Sequence, residues 1–81
     1  PNTTLDGALK LAKKIREHFR ETEFTNSGVS KFLTVSLGVS SGKPTPNNQE
    51  NSLKLLEIAD QCLYKAKENG RDQVVGLKCN F

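Results

Sequence analysis

Two basic side chains near the C-terminal end of the sequence have the types and spacing that suit phosphate binding. Lys67 lies in the last turn of a predicted helix, and Arg71 follows Gly70 where a strand is predicted to begin. A lysine supplies a compact positive charge, and an arginine supplies a planar fork of donors that matches phosphate oxygens. Basic residues in the last turn also offset the helix dipole, typically by about 0.3–1 kcal/mol. The residues alone leave both interpretations open.

The helix that carries Lys67 is predicted over residues 53–69, from apolar residues at steps of three and four. Ser52 occupies the expected N-cap, and Gly70 occupies the expected left-handed position after the helix. A short strand is predicted directly after this turn, over residues 73–77. The apolar stripe of the helix consists of Leu56, Ala59, Leu63 and Ala66.

A further helix is predicted over residues 5–22 and a strand over residues 33–40. The helix has alternating three- and four-residue apolar steps, and Thr3 with Asp6 resembles a capping box at its start. The strand alternates strictly between apolar and small residues, with Gly38 inside it. A glycine there indicates a close approach by another backbone or a ligand, and a bulge or tight packing explains it equally well.

The predicted order of elements is helix–strand–helix–strand, with a turn-rich connection at residues 25–28 and a long exposed loop at residues 41–51. A two-stranded sheet is marginal on its own, and a hydrophobic fraction of 35% supplies only a modest core for 81 residues. We therefore expect the chain to be part of a domain that either pairs with further sequence or dimerises to cover its open strand edges.

Composition argues against several other classes of protein. No apolar run approaches the roughly 20 residues of a membrane-spanning helix. Cys62 and Cys79 do not form a disulfide framework and their spacing suits no metal site, so Cys62 is expected to be a small buried residue. The net charge of +3 is mild, and the basic face of the first helix lacks interleaved aromatic residues. A nucleic-acid-binding domain is therefore the least favoured interpretation.

Three segments of the sequence match a known pattern in both order and spacing. Residues 59–71 are ADQCLYKAKENGR, residues 34–39 are TVSLGV and residues 12–16 are AKKIR. They resemble, respectively, the A-D-x-A-L-Y-x-A-K-x-x-G-R-N segment, the V-T-V-S-I-G-V-A strand and the A-E-R-I-R helix of GGDEF domains, the diguanylate cyclases. The resemblance covers nearly all of the chain.

The resemblance implies an α+β fold like the ferredoxin-type nucleotidyl cyclase domain, of which residues 1–81 would be the C-terminal half. Members of the family condense two GTP into cyclic di-GMP between two facing domains, each of which holds one GTP with divalent metal such as Mg²⁺. The metal-binding carboxylates and the G-G-D/E-E-F hairpin belong to the first half of that domain, which this sequence lacks. The fragment is therefore expected to contain no catalytic or metal-binding residue, to bind no Mg²⁺ alone and to be inactive.

The resemblance also implies a role for Lys67 and Arg71, because the family's A-K-x-x-G-R residues reach the GTP triphosphate. The sequence departs from the pattern at Cys62, where Ala is usual, and at Asp72, where Asn is common. A carboxylate beside Arg71 could partly neutralise its charge. Lys14 stands where a supporting Arg of the product-inhibition site is often found, and the main R-x-x-D motif is absent. Feedback inhibition is thus left open.

Two function classes follow from these observations. The chain is either a fragment of an active diguanylate cyclase or a degenerate GGDEF-like regulatory or nucleotide-binding module without turnover, and intact Lys67 and Arg71 favour the first. The parent protein is expected to be a cytoplasmic homodimer, or to be tethered to a membrane through an upstream domain. Asp60 and Tyr64 belong to the motif but are expected to be structural, with Tyr64 packed and Asp60 hydrogen-bonded locally.

Overall fold

The computed structural model describes residues 4–81 as two helices and four strands, and it confirms the α+β class. Neither helix in this part of the chain is long and apolar enough to cross a membrane. In chain order the elements are α1 (Leu5–Glu21), β1 (Glu23–Asn26), β2 (Val29–Phe32), β3 (Leu37–Ser41), α2 (Gln49–Glu68) and β4 (Val74–Lys78).

Helix α1 matches the predicted first helix to within one residue at its C-terminal end. Thr4 is its N-cap, because the Thr4 hydroxyl accepts a hydrogen bond of 3.2 Å from the backbone N–H of Gly7. Thr3, which the sequence places in a capping box, lies outside the described residues. Ala12 is buried in the middle of the helix, as the apolar stripe predicts.

Strands β1 and β2 form an antiparallel hairpin where the sequence predicts only a turn-rich connection. Ser27 and Gly28 join the strands with φ values of 52° and 80°, as a type I′ turn requires at both central positions. Every residue of both strands is exposed, so the hairpin lacks the apolar alternation by which a half-buried strand is recognised. The predicted helix–strand–helix–strand elements occur in the predicted order, and the structure adds this one hairpin between the first helix and the first predicted strand.

Strands β3 and β4 form a parallel pair, with Leu37 opposite Val74 and Ser41 opposite Lys78. Helix α2 connects them. The strand predicted over residues 33–40 begins only at Leu37, since residues 33–36 lie between the hairpin and the parallel pair. A hydrogen bond of 2.9 Å from the Leu37 N–H to the Gln73 carbonyl closes the pair at the end where both strands begin.

The two helices cover opposite faces of this parallel pair. A Cβ on Gly38 would overlap backbone atoms of Ala59 and Leu63 in α2, whereas a Cβ on Gly76 would lie 2.7 Å from a methyl of Leu9 in α1. Successive residues of a strand point to opposite faces, and Gly38 immediately precedes Val39, the residue paired with Gly76. Of the alternatives that the sequence leaves open for Gly38, the structure shows tight packing against a helix backbone.

Helix α2 begins four residues earlier than predicted. Asn48 is the N-cap, because its side-chain oxygen accepts a hydrogen bond of 3.1 Å from the Asn51 N–H. Ser52 therefore lies inside the helix, and the assignment of Ser52 as the cap is wrong. Asparagine and serine are about equally good N-caps, so capping preference alone does not separate Asn48 from Ser52. The connecting loop shortens to residues 42–48.

The hydrophobic core of the described residues is thin. Its fully buried apolar positions are Ala12, Cys62 and Ala66, and none of these is a large side chain. The accessible surface is 6254 Å², whereas a compact protein of this mass exposes about 4,800 Å² by the usual scaling with mass. The parallel pair also has only two strands, so each strand keeps one edge that no other described strand covers.

We expect the isolated 81-residue chain to self-associate or to melt without a cooperative transition, because its open edges and thin core need a partner surface. Sedimentation velocity over a range of concentrations and a thermal melt followed by circular dichroism would measure both properties. A monodisperse monomer that melts cooperatively would contradict this prediction.

Candidate functional site

Lys67 and Arg71 lie at the C-terminal end of α2 and in the turn that follows it, and both are exposed. Gly70 has a φ of 110°, which confirms the predicted left-handed residue after the helix. The Arg71 N–H donates a hydrogen bond of 3.0 Å to the Ala66 carbonyl, as in a Schellman motif. This bond fixes the position of the Arg71 backbone nitrogen relative to the last turn of α2, which carries Lys67.

The backbone stays in the left-handed region for two further residues. Arg71 has a φ of 64° and Asp72 a φ of 52°, although neither is a glycine. Non-glycine residues in this region cost on the order of 1–3 kcal/mol each, and they persist only where neighbouring contacts hold them. One such contact is a hydrogen bond from the Gln73 side-chain amide to the Asn69 carbonyl, which spans the turn.

The Asp72 carboxylate points to helix α1 and forms ion pairs there. One carboxylate oxygen lies 3.6 Å from Nε of Arg16, and the other lies 3.5 Å from Nε of Arg20. The side chains of Asp72 and Arg16 are 29% and 26% exposed, and that of Arg20 is 50% exposed. Within residues 4–81 no ion pair joins Asp72 to Arg71, and the carboxylate pairs with Arg16 and Arg20 instead.

This arrangement leaves the charges of Lys67 and Arg71 available to a ligand. Neither side chain takes part in an ion pair with another described residue. They lie at the end of the parallel pair where β3 and β4 both begin, since Arg71 precedes β4 by three positions. The arrangement presents two exposed cations on a turn whose backbone is fixed by hydrogen bonds, which suits an anionic ligand.

A cleft of about 890 Å³ lies at the other end of the parallel pair. Residues at the ends of both strands and the start of α1 line it, among them Asp6, Lys43, Lys78 and Phe81. Lys67 and Arg71 do not contribute to it. This cleft and the candidate phosphate contacts are therefore separate features.

The remaining motif residues of α2 are only partly where the sequence predicts. Cys62 is 5% exposed, which confirms the expected burial, and it is a free thiol. Tyr64 is 64% exposed, so the expectation that it is packed is wrong for these residues. Leu56, assigned to the apolar stripe, is 69% exposed. Helix α2 packs on Gly38 through the backbone of Ala59 and Leu63, and this contact leaves the Tyr64 and Leu56 side chains exposed.

Asp60 is exposed on the surface of α2. The side-chain hydrogen bond expected for it is not found among residues 4–81. The neighbouring Gln61 instead donates to the Glu57 carboxylate at 3.4 Å, one helical turn away.

Sequence reasoning missed the contribution of α1 to this end of the molecule. Arg16 and Arg20 are four residues apart, which places them on one helix face, and this spacing is visible in the sequence. Their approach to Asp72 joins residues more than fifty positions apart, and no local pattern indicates it. The one feature of the sequence that could have indicated this contact is the aspartate at position 72, where asparagine is common in the family pattern.

The described residues contain no group of three or more His, Cys, Asp or Glu side chains that could hold a metal ion. Aspartate and glutamate oxygens are the ligands that Mg²⁺ prefers, and the nearest carboxylate to Arg71 in sequence, Asp72, is engaged by two arginines. The donor set of residues 4–81 therefore does not fit a Mg²⁺ site.

Comparison with known families and proteins gives a consistent result. Residues 1–73 match the family model described as "Diguanylate cyclase, GGDEF domain". The chain is 34% identical over 80 residues to "Diguanylate cyclase A" of Treponema denticola, covering 99% of this chain and 21% of that protein. It is 38% identical over 78 residues to "Response regulator PleD" of Caulobacter vibrioides, covering 94% of this chain and 16% of that protein.

A third relative has no assigned role in its name. The chain is 40% identical over 75 residues to "Uncharacterized protein YhcK" of Bacillus subtilis, covering 91% of this chain and 20% of that protein. The chain thus spans about a fifth of the length of the curated relatives that it matches.

Proposed function

The chain belongs to the GGDEF family of diguanylate cyclases, and from this premise we propose that residues 1–81 are the C-terminal part of a single GGDEF domain. In the intact domain, two GTP molecules would be condensed into cyclic di-GMP for signalling. The observation that carries this proposal is the exposed pair of Lys67 and Arg71, held at the end of α2 by the turn at Gly70.

Lys67 and Arg71 would bind the triphosphate of GTP. In the condensation, the 3′-hydroxyl of each GTP would lose its proton to solvent as its oxygen bonds to the α-phosphorus of the other GTP. The bond from that phosphorus to pyrophosphate would break each time, so that two pyrophosphates leave. Negative charge then grows on the leaving pyrophosphate, and fixed positive charge beside it lowers the barrier. Arg71 can present two parallel donors to phosphate oxygens, and Lys67 adds a point charge.

The other requirements of the reaction would be met outside this chain. Since residues 4–81 offer no cluster of metal ligands, the residues that hold Mg²⁺ would come from the rest of the domain. Two such domains would face each other as a homodimer, each with one GTP. We place the domain in the cytoplasm, where GTP is available, with a membrane tether upstream as a compatible arrangement.

We expect the 81-residue chain alone to form no cyclic di-GMP from GTP and Mg²⁺, because it contributes phosphate contacts but no metal ligands. The measurement is chromatographic detection of cyclic di-GMP after incubation, with the full-length protein under the same conditions as the positive control. Product formed by the chain alone would contradict the prediction. A full-length protein that binds GTP but forms no product would instead favour a regulatory, nucleotide-binding module.

A further inference from the structure

We propose that Asp72 is a positioning residue for Arg71, acting through its ion pairs with Arg16 and Arg20 of helix α1. This inference rests on the proposed function, since it concerns how Arg71 is held for a GTP phosphate. It assigns a role in the site to α1, the element that covers the face of the sheet opposite α2.

The turn that carries Arg71 has an unusual backbone conformation and is held from two sides. Arg71 and Asp72 are consecutive residues with positive φ, a conformation that is uncommon outside glycine and that aspartate adopts more readily than arginine. On the helix side, the turn is held by the hydrogen bond from the Arg71 N–H to the Ala66 carbonyl. On the strand side, the Asp72 side chain connects the turn to α1. Arg71 thus lies between two anchors.

The negative charge of Asp72 is balanced by two arginines of α1. The Asp72 carboxylate is shared by two guanidinium groups, at 3.6 Å and 3.5 Å, so its negative charge is directed to α1 and away from Arg71. Nε of Arg16 and one carboxylate oxygen of Asp72 are shielded from solvent and have no hydrogen-bond partner in the described residues. Each is balanced chiefly by the charge of the other, and loss of the carboxylate would leave a shielded arginine atom uncompensated.

Position 72 has an aspartate in this chain, where asparagine is common in the family pattern. An asparagine at position 72 could accept a hydrogen bond, but it has no charge with which to balance both Arg16 and Arg20. The charged carboxylate of Asp72 can therefore pair with both Arg16 and Arg20, which an asparagine could not. Without it, the turn would lose its connection to α1, and Arg71 would sample orientations that do not contact a phosphate. The expected consequence is weaker binding of GTP.

The test is a double-mutant cycle in the full-length protein, with steady-state kinetics for GTP and inhibition by inorganic pyrophosphate as readouts. We expect Asp72→Ala to raise the KM for GTP about 10-fold, as expected for a lost charge-assisted contact, with a smaller effect on kcat. Pyrophosphate should inhibit the variant more weakly by a similar factor. In an Arg71→Ala background, Asp72→Ala should have little further effect, because there is no Arg71 side chain left to position.

Asp6 and Lys10 provide the matched control, because they form an ion pair of 3.7 Å on the same helix with both side chains largely exposed. Asp6→Ala and Lys10→Ala should leave the KM for GTP unchanged. If Asp72→Ala does not give folded protein, Arg20→Ala takes its place in the cycle, since Arg20 is half exposed on the helix surface. A KM increase from Arg20→Ala that disappears in the Arg71→Ala background would support the proposal equally.

Two outcomes would overturn the inference in distinguishable ways. If Arg71→Ala raises the KM but Asp72→Ala and Arg20→Ala do not, or if their effects are equally large without Arg71, then Asp72 does not act through Arg71 and the proposed function is unaffected. If Arg71→Ala itself leaves GTP kinetics and pyrophosphate inhibition unchanged, then the phosphate contact is wrong and the positioning role falls with it.

Discussion

Replacing Lys67 or Arg71 with alanine in the full-length protein is expected to lower kcat/KM for GTP by about 10- to 100-fold while leaving a measurable rate. Under the proposed function, each substitution would remove a charged donor from the triphosphate, and hydrogen bonds to charged groups contribute about 1.5–3 kcal/mol. Both side chains are exposed, so the folded structure should be little affected. The measurement is the initial rate of cyclic di-GMP formation as a function of GTP concentration.

The control must separate phosphate binding from stabilisation of the helix end. Lys65 is a second exposed basic residue in the last turn of α2, and it lies outside the A-K-x-x-G-R pattern. Lys65→Ala removes a similar interaction with the helix dipole and should leave the kinetics unchanged. Equal effects from Lys65→Ala and Lys67→Ala would contradict the assigned role.

A conservative variant of Arg71 distinguishes a two-donor contact with phosphate from the effect of a positive charge alone. Arg71→Lys keeps the positive charge but loses the planar fork that matches two phosphate oxygens. We expect it to recover only part of the activity that Arg71→Ala loses. Full activity would show that Arg71 acts as a point charge, and unchanged kinetics in Arg71→Ala would remove the arginine from the site altogether.

Gly38→Ala is expected to have the largest effect on stability, lowering the free energy of unfolding of the domain by about 3 kcal/mol or more. The new Cβ would overlap the Ala59 carbonyl oxygen and the Leu63 backbone nitrogen, and it would lie 2.9 Å from the Leu63 Cα. Overpacking against side chains typically costs about 1–3 kcal/mol. Here the opposing atoms belong to a helix backbone, which cannot yield by a change of rotamer. Urea unfolding would measure the loss.

Gly76→Ala is the matched control, because Gly76 lies in the neighbouring strand and faces the other helix. Its Cβ would meet methyl groups of Leu9 and Leu5 at 2.7 Å and 3.2 Å. These are the ends of flexible side chains and can move, so the expected loss is only about 1 kcal/mol. Similar losses from the two substitutions, or a stable Gly38→Ala variant, would contradict the close packing of β3 on α2.

The two predictions differ in how far the sequence alone supports them. The positions of Lys67 and Arg71 at a helix end followed by a glycine turn could be predicted from periodicity and capping residues, and the structure confirms that local arrangement. Gly38 could be identified as a place of close approach, but the sequence did not indicate which atoms approach it. The structure shows that these atoms belong to the backbone of helix α2, which lies directly on the strand.

The errors also have physical causes. The hairpin of β1 and β2 was missed because all its strand residues are exposed, and alternation is informative only where one face of a strand is buried. The start of α2 was misplaced because Asn48 and Ser52 are both good caps. Tyr64 was expected to be packed, but the helix is rotated so that Cys62 and Ala66 face the sheet.

The sequence by itself determined the helices, the turn at Gly70 and the family to which the chain belongs, because these depend on residues that are close in the chain. Tertiary structure alone decided that the Asp72 carboxylate pairs with Arg16 and Arg20 of α1. That choice depends on where α1 lies against the start of β4. Ion pairs between residues far apart in sequence follow from the packing of whole elements, which no local pattern encodes.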